Sequence, residues 1–88
     1  MVRKHVIVHG RVQGVFFRDT TRRMAESRGL AGWVRNNPDG SVEAAFEGEP
    51  DAVDQMVRFA HDGPRGAAVA SVDVVDEEPE GLTGFRTS

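Results

Sequence analysis

The chain has no cysteine among its 88 residues. Disulfide staples, thiolate zinc sites and a cysteine nucleophile are therefore excluded. Long apolar runs are missing too. No stretch approaches the roughly 20 residues of a membrane-spanning helix, and Met1-Val2-Arg3-Lys4-His5 lacks the roughly 7–15-residue apolar segment of a secretory leader. These absences predict a cytoplasmic protein with no membrane contact. Lysine is scarce: Lys4 stands alone beside ten arginines, a bias that needs no functional explanation. The three histidines, His5, His9 and His61, fall at no metal-ligand spacing with one another or with an acid, so neither a metal nor a cofactor is expected.

What remains is one domain's worth of chain, spanning residues 1–88. A domain of this size buries about 60–65% of the surface its unfolded chain exposes, which gives a thin core that can stand alone, and a monomer is the simplest expectation. The formal net charge of −3 is unevenly spread. Residues 1–36 hold eight basic residues against two acids, whereas residues 37–88 hold three against twelve. A basic first half can attract a phosphate or a nucleic acid, or can simply be a solvated surface.

Hydrophobic periodicity orders the chain. Residues 2–9 are rich in β-branched side chains and partly alternate, which predicts a strand. A glycine-punctuated stretch from Gly10 to Val15 follows. A helical stripe then runs through Phe17, Thr21, Met24 and Ala25, closed by Gly29. Residues 30–36, around Trp33-Val34, read as a second strand. Asn37-Pro38-Asp39-Gly40 is a turn signal. Residues 41–48 alternate, with Val42, Ala44 and Phe46 on one face and Glu43, Ala45 and Glu47 on the other. Pro50 and neighbouring acids open a second helix with a stripe at Val53, Met56, Val57 and Ala60, stopped at Gly63-Pro64. Residues 69–75 form the next strand, and residues 83–87 suggest a short edge strand. The order βαββαβ predicts an α+β, ferredoxin-like sandwich: an antiparallel four-stranded sheet with two helices on one face. That fold hosts many unrelated activities and does not itself give a function.

The segment Val8-His9-Gly10-Arg11-Val12-Gln13-Gly14-Val15-Phe16-Phe17-Arg18 carries the chemical information. Between a strand and a helix, its N–H groups can converge at the helix N-terminus, where free amides and the helix dipole favour an anion. Gly10 and Gly14 let the main chain approach a ligand. Arg18, in the first helical turn, offers a planar fork of donors matched to two phosphate oxygens. Two glycines and an arginine after a strand are nevertheless common, and a purely structural loop fits the same spacing.

The same segment resembles the first signature of the acylphosphatase family, Val-x-Gly-x-Val-Gln-Gly-Val-x-(Phe or Met)-Arg, at every specified position. Gly32-Trp33-Val34-Arg35-Asn36, then Gly40-Ser41-Val42, then Gly48, resembles its second signature. Two ordered, correctly spaced patterns make a specific signal. Gly63-Pro64 and the strand after it also look like the family, whereas Phe85-Arg86-Thr87 departs from its usual Phe-x-Ile ending and predicts a looser last strand. The resemblance implies a single acylphosphatase-like domain whose substrate is a small acyl phosphate, with phosphate or sulfate as competing anions. It implies Arg18 and Asn36 as catalytic residues, Arg18 binding phosphate and Asn36 orienting the water. The phosphate cradle it implies is the main chain of Gly10, Arg11, Val12, Gln13, Gly14, Val15 and Phe16, together with Arg18.

Other residues read more simply. His9, just before the loop, is a surface or packing residue by default, and Asp19 is a first-turn acid favoured by the dipole. Trp33 reads as a packing aromatic, Phe16 and Phe17 as core or loop anchors, and Arg22 and Arg23 as solvated charges. Arg11 can widen a positive mouth. An RNA-recognition module shares the βαββαβ order, but it displays aromatics on its first and third strands. Here the first strand has none, and Glu43 and Glu47 are expected on the open face of the third, where they would repel phosphate. A non-catalytic anion-sensing or partner-binding domain is the remaining alternative.

Overall fold

The computed structural model describes residues 1–88. The elements are β1 (Val2–Arg11), α1 (Phe17–Ser27), β2 (Ala31–Asn36), β3 (Val42–Gly48), α2 (Pro50–Asp62), β4 (Ala68–Glu77) and β5 (Phe85–Thr87). They form one sheet in the order β4-β1-β3-β2-β5. The sheet thus has five strands where the sandwich order predicts four, the fifth being the short edge strand that residues 83–87 suggest. The first four pair antiparallel, while β5 runs parallel to β2, with Gly32 opposite Phe85 and Val34 opposite Thr87. The α+β sandwich order is otherwise as the sequence predicts.

The apolar stripes meet where periodicity places them. Phe17, Thr21 and Ala25 of α1 and Val53, Met56 and Ala60 of α2 are buried against Val6, Val8, Val34, Val42, Ala44 and Phe46 of the sheet. Full burial of a side chain the size of Phe46 stabilises by about 1.5–3 kcal/mol, which makes this face the main source of stability. α1 ends in paired bonds, Leu30 N–H to Ala25 O and Gly29 N–H to Glu26 O, which satisfy carbonyls the helix would leave free. In β5 Phe85 is buried and stacks on Phe46 at 5.7 Å, while Arg86 and Thr87 are exposed.

Two expectations need correction. Strand β1 runs on through Gly10 and Arg11, which pair with Val69 and Ala68 of β4 across a register shift after His9. Gly10, with φ 128°, is required by that pairing, because a Cβ there would lie 2.2 Å from Ala68 O. The loop therefore starts later than Gly10. Glu47, moreover, is not on an open face. It is only 2% exposed, because residues 78–84 fold across the back of the sheet over it.

The Glu47 carboxylate accepts N–H bonds from Glu80, Gly81 and Leu82 at 2.8–3.0 Å and faces the buried Arg3 guanidinium at 3.6 Å. The Glu80 amide, against the opposing cost of burial, is the first cause holding its carboxyl below the ordinary value of 4.5, with the other two amides and Arg3 adding to it. The antiparallel register of β1 and β4 also sets Arg3 beside Glu77 and Lys4 beside Asp76, each pair 2.8 Å apart. Much of the positive charge at the start of the chain is thus neutralised at the end of the sheet where Val2 pairs with Gly48.

Candidate active site

The turn into α1 alternates in hand. Gly14 has φ 75°, Val15 is on the negative side, and Phe16 returns to φ 61°, ψ 24°. Alternation of φ sign along a turn is the backbone pattern that can bring consecutive N–H groups to one side as an anion-binding nest. The first helical bond is Thr20 N–H to Phe16 O at 3.0 Å. The amides of Phe17, Arg18 and Asp19 precede it and have no partner in the helix, which concentrates the positive end of the dipole there. A Cβ on Gly14 would meet nothing within 4 Å, so what calls for glycine there is the positive φ and not a close contact.

A cavity of about 230 Å³ opens at this turn, lined by Gly14, Phe16, Phe17, Arg18, Asp19 and Asn36. It falls below the roughly 300–1,000 Å³ of sites for larger organic ligands. Arg18 comes from the first turn of α1 and Asn36 from the last position of β2, where alternation sets it on the helix-bearing face with Val34. Chain topology thus brings together two residues 18 positions apart. The Arg18 guanidinium donates from Nη1 to the backbone carbonyl of Ser88, whose own N–H donates to Val34 O at 3.0 Å. Asp19, the one carboxylate at the cavity, bonds Arg22 at 2.9 Å and Arg23 at 3.0 Å, so it does not cancel the charge of Arg18.

Gln13 joins the two halves. Its Nε2 donates to Asn37 O at 2.8 Å and to Ser41 O at 2.9 Å, tying the loop to the β2–β3 turn just beyond Asn36. The turn is itself braced. Asp39 accepts from the Ser41 hydroxyl at 2.6 Å and from its N–H at 2.9 Å, in that order the causes that lower its carboxyl from the usual range. Asn37 Nδ2 donates to Ser41 Oγ at 3.0 Å and to Glu43 at 3.1 Å. Burial pushes the Glu43 carboxyl up, but hydrogen bonds from Arg35, His5 and Asn37 outweigh it and leave it lowered.

The other candidates separate clearly. Gly10 and Arg11 belong to β1, Val12 is a core residue, and none of the three lines the cavity. Val15 is half-buried beside the core, while Phe17 is buried against Phe59 at 5.6 Å, an anchor as expected. Phe16 is not an anchor: it is 80% exposed. His9 pairs with Asp73 at 3.1 Å, and His5 pairs with Glu43 and lies 5.8 Å from the Trp33 ring, both on the sheet face away from the helices. Trp33 also lies 5.1 Å beneath the Arg35 guanidinium. No group of three His, Asp or Glu side chains is arranged to hold a metal ion, and no helix is long and apolar enough to cross a membrane.

The cavity sets the N-terminal end of α1 beside a guanidinium and an amide side chain, on a small α/β sandwich of the ferredoxin-like class. The acylphosphatase family model matches residues 4–87. The chain is 59% identical over 86 residues to an acylphosphatase of Trichormus variabilis, covering 98% of this chain and 85% of that one. It is 60% identical over 86 residues to an acylphosphatase of Rubrobacter xylanophilus, covering 96% and 77%. The crystal structure of acylphosphatase from Bacillus subtilis matches with a TM-score of 0.94 at 37% identity, covering 100% of this chain and 99% of that one. This chain belongs to the acylphosphatase family.

Proposed function

We infer that the protein hydrolyses small acyl phosphates to a carboxylate and inorganic phosphate by direct attack of water, and that it needs no metal or cofactor. The observation that carries the reading is the meeting of Arg18 and Asn36, from separate elements, around one anion-sized cavity floored by the Gly14–Phe16 turn. In this reading the phosphoryl group sits on the amides between Gln13 and Arg18, and the Arg18 guanidinium binds its oxygens in bidentate fashion. Gly10, Arg11 and Val12 support the loop from the sheet and core instead of touching the anion.

The reaction needs few groups. The leaving carboxylate has a conjugate acid of pKa about 4, so it departs without a general acid. The transition state is loose, with charge spread over the phosphoryl oxygens and the leaving oxygen, and preorganised donors stabilise that charge. Asn36 has no basic group. Its amide oxygen accepts one hydrogen bond from water and aims a lone pair at phosphorus, while a non-bridging phosphate oxygen takes the proton. The P–O bond to the acyl group breaks as the bond to water forms, which accounts for every atom. Free phosphate and sulfate compete for the same cradle, and the protein works as a cytoplasmic monomer.

Phosphate release from acetyl phosphate in the presence of chelator tests the reading. Arg18→Ala is expected to lose about 10³-fold or more in rate. Retention of half the activity by that variant, or abolition of wild-type activity by chelator, would refute the mechanism. A wild-type protein that binds phosphate but releases none from acetyl phosphate would leave the anion-sensing alternative in its place.

A further inference from the structure

The backbone and the side chain of Phe16 call for separate explanations. Its left-handed backbone belongs to the anion turn. Phe16 is the only non-glycine residue with positive φ in the chain, and a bulky side chain is disfavoured there. Glycine or asparagine would adopt the conformation more readily. The phenyl ring therefore does nothing for the turn.

Nor does the ring do structural work elsewhere. At 80% exposed, it takes no part in the core. As the residue preceding α1 it makes no capping hydrogen bond. Every other phenylalanine has a ring partner, Phe17 with Phe59 and Phe46 with Phe85. Of the large apolar residues that stand exposed, it alone lines this cavity. An apolar ring held out into water at a cavity rim, on a backbone that resists it, matches the local costs that concentrate at functional sites.

We propose that the Phe16 side chain is the acyl-group platform of this site, and that the protein favours acyl phosphates with an apolar, above all aromatic, acyl group. The proposal rests on the acylphosphatase reading, since it concerns the half of the substrate that the phosphate cradle leaves outside. With the phosphoryl group on the loop amides and Arg18, the acyl half projects to the rim where Phe16 stands. Ring stacking or edge contact there adds affinity for an aromatic acyl group without demanding a closed pocket. The adjoining hollow, lined by Arg18, Asp19, Arg22 and Thr87, has no apolar wall and offers such a group nothing.

The test compares kcat/KM for benzoyl phosphate and acetyl phosphate in the wild type, Phe16→Asn and Phe16→Trp, with chelator present. Each ratio is taken within one protein, which removes differences in folding and in the cradle. Phe16→Asn is expected to lower the benzoyl-to-acetyl ratio about fivefold, chiefly through KM for benzoyl phosphate, and Phe16→Trp to keep or raise it. Binding of phenylphosphonate relative to methylphosphonate, followed by calorimetry, should shift in the same direction. A ratio unchanged in Phe16→Asn, whether or not both rates fall together, overturns the proposal and leaves the hydrolase reading intact. A wild type that turns over neither substrate overturns both.

Discussion

Gln13→Met separates the assembly of the site from its phosphate cradle. The substitution keeps length and approximate volume but removes both donors, the bonds to Asn37 O at 2.8 Å and Ser41 O at 2.9 Å. Each neutral bond contributes about 0.5–1.5 kcal/mol net, so the pair is worth about 1–3 kcal/mol. For a domain of this size that corresponds to a fall in Tm of roughly 5–20 °C. The functional consequence is sharper. Asn36 adjoins the turn that Gln13 grips, and a displacement near 1 Å between a water-holding group and phosphorus can cost up to about 10²-fold in rate. Gln13→Met should therefore lower kcat on acetyl phosphate about 10- to 100-fold, while the inhibition constant of inorganic phosphate stays within about threefold, because the loop amides and Arg18 remain. Gln13→Glu should be worse, since its carboxylate would face two carbonyl oxygens. Thermal melts, steady-state kinetics and product inhibition on the same samples decide the matter. If phosphate affinity falls in parallel with kcat, Gln13 shapes the cradle instead of placing Asn36. If Gln13→Met melts and turns over like the wild type, Gln13 does neither.

Two further outcomes follow from the geometry. Asn36→Ala should lower kcat about 10²–10³-fold with little change in phosphate affinity measured by calorimetry, and parallel loss of both would remove the water-orienting role. The Glu47 carboxyl is held below 4.5 in the folded protein, so the unfolded chain binds more protons near that pH. Its contribution is present above that value and disappears as pH falls through the lowered one. Melting temperature should therefore drop on acidification below about 4.5, and Glu47→Gln should flatten part of that drop while lowering stability at neutral pH. Acid profiles that coincide in the two proteins would show that the buried carboxylate is not the group responsible.

The sequence makes the secondary structure legible because the core-facing apolar residues recur at regular intervals. Val42, Ala44 and Phe46 repeat every second residue, and Phe17, Thr21 and Ala25 every fourth, and both sets lie in the core. Arg18 and Asn36 are legible through motif spacing, and the structure sets them at one cavity. Gly10 misleads because a bulge glycine and a loop glycine carry the same letter for the same reason, a positive φ. Only the partner strand, with Ala68 O pressed against it, tells them apart. Glu47 misleads because alternation and charge both send it to solvent, while the residues that cover it have no periodicity to announce themselves. Gln13 is marked by the motif, but its tethering role is not legible: its partners are main-chain carbonyls, and any residue type supplies those. The three-residue β5 is too short for alternation to fix its direction, so its parallel pairing with β2 follows only from the tertiary structure.

These hidden contacts converge on β2. Asn36 is its last residue. Gln13 holds the loop to Asn37, the next residue along. Arg18 reaches Ser88, which hangs from Val34 in the strand's middle. Asn36, the Gly14–Phe16 turn and the Arg18 guanidinium thus come from a strand, a turn and a helix, yet all three are referenced to one six-residue strand flanked by β3 and β5. A paired interior strand moves less than a loop or a helix terminus, so tying mobile parts to it fixes distances that neither part could hold alone. In a chain with so thin a core, that shared reference can replace the supporting layers a larger enzyme would place around its site. Loosening β2 should then disturb binding and turnover together, whereas cutting the Gln13 tether, which grips the turn just beyond Asn36, should disturb turnover alone.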